Sequence, residues 1–327
     1  MINVPVIDIS TFTPYSEKTH PAVLQLRQAC INHGFFYIRG HKVSDQLQED
    51  LLRISRLFFD QSVEEKMKIS MQLAGNAWRG YFPLGDELTS GKPDMKEGLY
   101  FGIEHQEDDP HVKNEVVMYG KNLFPDNIPG FANIILNYME EVTHLGHRLM
   151  NLMALSLDLD SDYFNKNGTE DPWTLFRIFH YPAITRDMPI DSWGVGEHTD
   201  YGVLTILKQD EVGGLQIKSG DSWIDAPYIE GTFICNLGDM FSKMTGGYFQ
   251  ATPHRVKNRS RRGRYSFPFF FDPGWDTEVQ SIDTSNFTQN KIHGQPERWD
   301  KMKPELFQGT YGKYITMKIG KVFPDLM

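Results

Sequence analysis

Three side chains with metal-binding chemistry share a recognisable pattern. His198 and Asp200 lie two positions apart in the run GEHTD, and His254 follows in the later run TPHRV. Residues two apart on an extended strand project to the same face, and a histidine from a second strand can complete one face of an octahedron. Two histidines and one carboxylate arranged in this way bind Fe(II) and leave positions open for a cosubstrate and O2. An exposed turn with a capping Asp is the alternative that these residues leave open.

A second pair of polar residues lies in the apolar run RYSFPFFF after His254. Arg264 and Ser266 share one face of this predicted strand, so a guanidinium and a hydroxyl point together into the interior. A buried guanidinium without a partner is strongly destabilising, so this face needs an anion. The carboxylate of 2-oxoglutarate has the planar shape that a guanidinium binds through two parallel hydrogen bonds. A structural ion pair with one of the 43 acidic side chains is the alternative.

The elements that position these residues are predicted from periodicity and from turn residues. Helical patterns cover 21–32, 44–59 with Ser44 as N-cap, a short helix opened by the capping box Ser62 to Glu65, and 131–157. Strand patterns cover 4–9 and 35–38, and from Trp173 onward short β-rich runs alternate with Gly, Asp and Pro. Many short strands of even spacing are typical of a sandwich, a jelly roll or a barrel.

These patterns predict a mainly β fold with surrounding helices. We expect residues 1–150 to form a mixed, mainly helical amino-terminal region. Residues 151–327 are expected to form the β-rich domain with a carboxy-terminal segment, of which 296–323 is helical in part. The chain has 327 residues, enough for one or two closely packed units.

Composition excludes several classes of partner. A formal net charge of −10 repels nucleic-acid phosphates and anionic lipid headgroups, so a small molecule is the expected partner. Only Cys30 and Cys235 are present, too few for a disulfide framework, which indicates a reducing, cytoplasmic environment. We expect no secretory signal and no membrane span in this sequence. Oligomeric state leaves no signal in the sequence.

The whole set of motifs resembles the Fe(II)/2-oxoglutarate-dependent dioxygenases of the isopenicillin N synthase-like family. The resemblance rests on motifs in the family's order along nearly the whole chain: VPVIDIS, ACINHGFFYIRGH, GEHTDYGVLTILKQDEVGGLQIK, FICNLGDM, TPHRV and RYS. It implies a double-stranded β-helix, or jelly roll. It also implies Fe(II) ligands at His198, Asp200 and His254, and a clamp for the distal 2-oxoglutarate carboxylate at Arg264 and Ser266. Tyr181 matches a tyrosine that helps to hold that carboxylate.

The implied activity is oxidative decarboxylation of 2-oxoglutarate by O2 to succinate and CO2, coupled to hydroxylation or related C–H oxidation of a small molecule. The chain departs from many plant members at Phe179, where they have an asparagine, so one cosubstrate contact differs. Two alternatives stay open. One is an Fe(II) oxidase of the same fold that does not use 2-oxoglutarate, and the other is a metal-binding jelly roll without catalysis.

Within the family, the sequence is most similar to thymine-hydroxylase-like and related members that oxidise small heterocycles or carboxylates. At matching positions the resemblance places Arg177 and Phe270 against the substrate, with Phe270 stacking on a flat ring. It also places Arg79 and Tyr81, from WRGYFP, in the pocket wall, with Asp272 as a further candidate. Core packing or structural ion pairing is the alternative role for each.

Overall fold

The computed structural model describes residues 4–88, 92–183, 193–257, 260–287 and 306–322. Twelve strands are described in these ranges, and in chain order they are β1 (Val6–Asp8), β2 (Phe35–Arg39), β3 (Gly80–Phe82), β4 (Glu97–Gly102), β5 (Trp173–Tyr181), β6 (Val195–His198), β7 (Leu204–Gln209), β8 (Leu215–Ser219), β9 (Ser222–Asp225), β10 (Phe233–Leu237), β11 (His254–Val256) and β12 (Arg264–Asp272). Eight of them form one sheet in the order β1-β2-β10-β7-β12-β5-β4-β3. The other four form a second sheet in the order β6-β11-β8-β9.

Pairing within both sheets is antiparallel except between β1 and β2. The mainly β jelly-roll prediction is therefore confirmed. Strands β1 to β4 come from residues 1–150 and yet lie in the larger sheet, so that region contributes half of the sheet's strands as well as helices. The predicted division near residue 150 does not separate one sheet from the other.

Seven α-helices surround the sheets in the described ranges, and they are α1 (Pro21–Asn32), α2 (Asp45–Phe59), α3 (Val63–Met67), α4 (Pro110–Lys113), α5 (Phe131–Ser156), α6 (Asp239–Met244) and α7 (Tyr311–Val322). The predicted caps are present, because the Ser44 hydroxyl accepts from the Leu47 N–H and the Ser62 hydroxyl from the Glu65 N–H. Helix α7 lies in the predicted carboxy-terminal segment, of which residues 296–305 and Phe323 lie outside the described ranges. Across these ranges, every helix is too short or too polar to cross a bilayer.

The side chains of strand β12 alternate between two surroundings, the packing against the helices and the space between the two sheets. Its odd-numbered residues, from Tyr265 to Phe271, face the surrounding helices, where Tyr265 lies near Phe59 of α2 and Phe271 packs against the long helix α5. Gly146 of α5 permits this packing, since a Cβ there would lie 2.2 Å from the Phe271 ring. Its even-numbered residues, Arg264 to Asp272, face the space between the two sheets. Pro268 cannot donate to a neighbouring strand, yet the register with β5 is the same on both sides of it.

Candidate active site

The three predicted metal ligands are brought together by one strand pair. His198 is the last residue of β6, and His254 is the first residue of β11, directly opposite it in the antiparallel register. Their imidazole centroids are therefore only 4.2 Å apart. Asp200 lies in the turn after β6 rather than on the strand itself, and this turn returns its carboxylate to the two rings.

The donor atoms of these three residues converge on one point. Asp200 Oδ1 lies 3.7 Å from His198 Nε2 and 3.7 Å from His254 Nε2, and one ligand atom from each residue lies within 4.8 Å of the others. Each Nδ1 faces a backbone carbonyl, that of Gly196 at 2.8 Å for His198 and that of Thr252 at 3.4 Å for His254. These contacts favour the tautomer with Nε2 free to bind a metal.

Two neighbours orient the carboxylate, and neither was singled out from the sequence. Thr205 Oγ1 donates to Asp200 Oδ2 at 2.5 Å, and Asn236 Nδ2 donates to the same oxygen at 2.7 Å. Oδ1 is thereby left for a metal. Sequence reasoning missed these two residues because each comes from a different strand, β7 and β10, and pairing between those strands is not visible in a local pattern.

Burial and charge set the protonation of the triad. Burial lowers the pKa of His198, and burial together with His198 lowers the pKa of His254 to about 4. Burial alone would raise the pKa of Asp200, but the two histidines and the hydrogen bonds from Asn236 and Thr205 outweigh it and lower the pKa. At neutral pH the site therefore presents two neutral imidazoles and one carboxylate, the protonation states in which these side chains bind a divalent metal.

Arg264, Ser266 and Tyr181 meet on the neighbouring part of the large sheet. Arg264 is fully buried and pairs with Tyr181 in the register of β12 and β5, with its guanidinium 4.6 Å from the centre of the tyrosine ring. The Ser266 hydroxyl donates to the Tyr181 hydroxyl at 3.4 Å. Among the described residues, Arg264 Nε, Nη1 and Nη2 have no hydrogen-bond partner.

Asp210 is the carboxylate whose charge interacts with this guanidinium. Its two oxygens accept from the backbone N–H groups of Val212 and Tyr265, at 3.0 and 2.6 Å, and it forms no ion pair with Arg264 within the described ranges. Burial raises the pKa of Asp210 despite these contacts. In the described residues, the Arg264 guanidinium is therefore buried with neither an ion pair nor a hydrogen-bond partner.

A cavity of about 120 Å³ lies between the sheets and contains the ligand atoms of the triad. Alternate residues of β5 and β12 form much of its wall, as the period of a strand requires. The predicted residues that line it are Tyr181 and Ser266 at one end, and Arg177, Phe270 and Asp272 elsewhere on the wall. Arg264 is not among these lining residues, and its guanidinium lies against the Tyr181 ring, which is one of them.

Arg79 and Tyr81 do not line this cavity, unlike the placement implied by the resemblance. The Arg79 guanidinium is fully buried over Gly102, and its Nη2 donates to the Met118 carbonyl at 2.8 Å. The Tyr81 hydroxyl donates to Glu97 Oε2 at 2.6 Å, in a group that also contains Lys66. Both residues therefore belong to the packing around β3 and β4.

Beside Arg177, Glu87 and Lys96 line the cavity wall as members of a buried ion-pair group that also contains Asp94, and these three residues were not predicted. Lys96 Nζ lies 2.7 Å from Glu87 Oε2 and 2.6 Å from Asp94 Oδ2, and Arg177 Nη1 lies 3.2 Å from Glu87 Oε1. The Tyr100 hydroxyl donates to Glu87 Oε1 at 2.7 Å. Burial would raise the pKa of Glu87, but Lys96 and Arg177 outweigh it and lower the pKa to about 2.

Aromatic rings complete this wall. The Arg177 guanidinium lies 4.3 Å from the Tyr100 ring centre and 5.1 Å from that of Phe270. Phe179, at the position where many plant relatives have asparagine, presents its ring to the cavity, with Lys96 Nζ 4.8 Å from the ring centre. In this part of the wall, the Lys96 ammonium over the Phe179 ring takes the place of the asparagine amide of those relatives.

Comparisons with known proteins agree with this geometry. Residues 4–127 match the model of the non-haem dioxygenase in morphine synthesis N-terminal family, and residues 172–273 match the model of the 2OG-Fe(II) oxygenase superfamily. The chain is 48% identical to a probable iron/ascorbate oxidoreductase of Dictyostelium discoideum, with 99% of this chain and 95% of that protein aligned. It is 40% identical to a 1-aminocyclopropane-1-carboxylate oxidase of Dictyostelium mucoroides, over 98% and 95%.

A solved structure shows the same fold. A full-length protein of Neurospora crassa, crystallised in complex with alpha-KG and thymine, superposes with a TM-score of 0.79 at 26% identity, covering 97% of this chain and 96% of that one. The donor set of the triad and the partnerless guanidinium of Arg264 fit the metal and the cosubstrate that such enzymes need. The chain belongs to the 2OG-Fe(II) oxygenase superfamily, as an enzyme that uses Fe(II), 2-oxoglutarate and O2 to oxidise a small organic molecule.

Proposed function

We propose that His198, Asp200 and His254 hold the Fe(II) ion, and that Arg264, Ser266 and Tyr181 hold the distal carboxylate of 2-oxoglutarate. The observation that carries this proposal is the burial of Arg264 without a hydrogen-bond partner in the described residues. A guanidinium in that state destabilises the fold until an anion reaches it. Two hydroxyls beside it offer the additional donors that a carboxylate accepts.

The bound Fe(II) and 2-oxoglutarate supply the oxidising power, since O2 converts 2-oxoglutarate to succinate and CO2 while a C–H bond of the substrate is oxidised. The residues of the chain bind and orient the metal, the cosubstrate and the substrate. Thr205 and Asn236 hold the Asp200 carboxylate, so its second oxygen is directed to the metal. The walls of the cavity hold the substrate C–H bond beside the metal site.

For the substrate, we propose a small heterocycle or carboxylate that contacts Phe270 and Arg177. Phe270 is half-buried and turns its ring toward the cavity, so it can stack on a flat ring. Because Arg177 already pairs with Glu87, it does not require an anionic substrate. A neutral heterocycle can therefore bind against this wall as well as an anion can. The Neurospora crassa structure with bound thymine supports this substrate class by similarity.

We propose a reducing compartment, the cytoplasm, as the place of the reaction. Cys30 and Cys235 are both free thiols in the interior. Burial, and for Cys30 also the neighbouring Cys235, raises the pKa of each thiol, so neither is readily ionised or oxidised. The acidic net charge favours a small-molecule partner over nucleic acid or an anionic membrane.

The decisive test is an anaerobic titration of the Fe(II)-loaded protein with 2-oxoglutarate, followed through the visible charge-transfer band of the chelated cosubstrate. We expect the wild-type protein to give the band, and Arg264→Ala to need roughly a hundredfold more 2-oxoglutarate, because charge-assisted hydrogen bonds are lost. Arg262→Ala is the matched control, since Arg262 is exposed and pairs with Glu211 on the surface. It should titrate like the wild type.

The other outcomes identify the alternatives. A wild-type protein that binds Fe(II) but gives no band, and oxidises a substrate without forming succinate, would be an oxidase of the same fold. The names of the two Dictyostelium relatives support that second candidate. A protein that does not bind Fe(II) at all would remove the role proposed for His198, Asp200 and His254.

A further inference from the structure

The charged residues on the cavity wall outside the triad divide into two groups. Glu87 forms ion pairs with both Lys96 and Arg177, and Asp94, which pairs with Lys96, completes the group. Two positive and two negative charges cancel there. Of the described residues on the wall, Asp272 is the remaining one with a carboxyl or basic side chain, and it lies outside this group.

Asp272 is a buried carboxyl at the end of β12. It is 2% exposed, and its Oδ1 accepts from the backbone N–H of Val203 at 2.5 Å. Within the described ranges, no lysine, arginine or histidine forms an ion pair with it. The Tyr311 phenol is near, and burial and then the Asp272 carboxyl raise its pKa well above the usual value. The one charge that acts on Asp272 is the negative charge of Asp200, so in the described residues Asp272 has no cation to balance it.

The carboxyl lies beside the turn that carries a metal ligand. Gly202 follows Asp200 by two positions, and a Cβ at Gly202 would lie 2.0 Å from Asp272 Oδ1. Only a residue without a side chain lets the carboxyl approach this turn so closely. Ile315 and Ile319 of α7 line the cavity too, so the substrate space has an apolar wall in addition to the acidic group.

We propose that Asp272 is a specificity-determining residue that accepts hydrogen bonds from a positively charged nitrogen, an ammonium or a guanidinium, on the substrate. This inference rests on the proposed function, in which the cavity binds a small molecule next to the metal. A buried carboxylate without a cation loses the hydration it had in water, and a cationic ligand restores both the charge balance and the hydrogen bonds. Because Arg177 is already paired with Glu87, it does not compete for Asp272.

The test compares ligands of one shape and different charge. The probes are benzylamine, its neutral counterpart benzyl alcohol and the anion benzoate, added to the Fe(II) and 2-oxoglutarate complex under anaerobic conditions. Binding is read from the change each probe causes in the charge-transfer band. We expect benzylamine to bind about tenfold or more tightly than benzyl alcohol, which is the usual strength of a hydrogen bond to a charged group.

Two variants sharpen the comparison. Asp272→Asn keeps the size of the side chain but removes its charge, and should abolish the preference for benzylamine. Asp276→Asn removes an exposed carboxylate four residues along that pairs with His111, and should keep the preference. The inference is overturned if wild-type protein binds the neutral and the cationic probe equally, or if the preference survives in Asp272→Asn.

The wild-type comparison does not depend on whether a variant folds. Failure of the inference also differs from failure of the proposed function. Absence of the 2-oxoglutarate band in wild-type protein would contradict the proposed cosubstrate site, whereas a normal band without cation preference would contradict only the role of Asp272.

Discussion

Beside Tyr181 and Ser266, at the proposed cosubstrate end of the cavity, Arg264 is buried without a partner in the described residues. On the wall around Arg177, the proposed substrate wall, Glu87, Lys96 and Arg177 are paired. Both places hold charge away from water, at a cost that only a partner of opposite charge offsets. On the substrate wall the chain supplies that partner itself. In the proposed function a dianionic ligand supplies it at the cosubstrate end, so we expect this end to be arranged for binding and the other for stability.

Removing one charge from the paired group should have the largest effect. Glu87→Gln leaves Arg177 without its ion pair and Lys96 with Asp94 alone, and should destabilise the protein by about 3 to 5 kcal/mol, as breaking a buried pair does. Chemical unfolding of the metal-free protein measures this. Glu65→Gln is the control, because Glu65 pairs with Lys68 on the surface, where an ion pair contributes about 1 kcal/mol or less.

In the same measurement, Arg264→Met should not lower the free energy of unfolding. A partnerless guanidinium is replaced by an apolar side chain of similar length, so the free energy of unfolding of the ligand-free protein should be unchanged or higher. If Glu87→Gln were as stable as the wild type, or if Arg264→Met were strongly destabilised, the contrast between the two ends would be wrong.

The sequence predicted more of the residues at the proposed cosubstrate end of the cavity than of those on the proposed substrate wall. His198, His254, Arg264 and Ser266 lie on strands, whose alternation fixes the face that each side chain takes, so motif and period together predicted their faces. Asp200 lies in the turn after β6, where the motif alone indicated it. Strand β4 was not predicted, because EGLYFG contains two glycines that argue against a strand. The structure gives the reason, since a Cβ at Gly98 would lie 2.6 Å from the Phe82 ring and one at Gly102 would lie 2.0 Å from Arg79 Nη2.

The substrate wall depends on contacts between segments far apart in the chain. Glu87 and Lys96 come from the connection between β3 and β4, and Ile315 and Ile319 come from α7. No local pattern tells which of the 43 acidic residues meets Arg177. The resemblance placed Arg177 and Phe270 on the cavity wall and did the same for Arg79, which the structure puts elsewhere. Positions on irregular edges such as β3 transfer less well than positions on long paired strands.

The hydrogen bonds to Asp200 extend the comparison to the metal ligands. Thr205→Val removes the donor to Asp200 Oδ2 while keeping the shape of the side chain, and should lower Fe(II) affinity about tenfold to a hundredfold. Anaerobic competition with a chelator measures the affinity. Thr143→Val, which removes a hydroxyl bonded to the Met139 carbonyl within α5, should have no effect on metal binding. Equal affinities for wild-type and Thr205→Val protein would show that Asn236 alone orients the carboxylate.

The smallest of these effects is expected for substitution of Asp272, measured as the pH dependence of the free energy of unfolding. It tests whether the charges on the proposed substrate wall are fully balanced. Burial is the main cause that raises the pKa of Asp272 to about 7, and the charge of Asp200 adds to it, while the Val203 N–H and Tyr311 act in the opposite direction. A carboxyl with a raised pKa keeps its proton in the folded state at a pH where the unfolded chain has lost it. Stability therefore falls as pH rises from about 4 to 7, and the loss is complete above 7.

Asp272→Asn has no proton to lose in that window. Its free energy of unfolding, relative to that of the wild type, should rise by about 1.4 kcal/mol between pH 6 and pH 8, the change that one carboxyl titrating near pH 7 produces. Metal-free protein is used, so that ligand binding does not contribute. A difference that stays constant with pH would mean that the folded protein already balances the Asp272 charge, and the cation would then not be needed from the substrate.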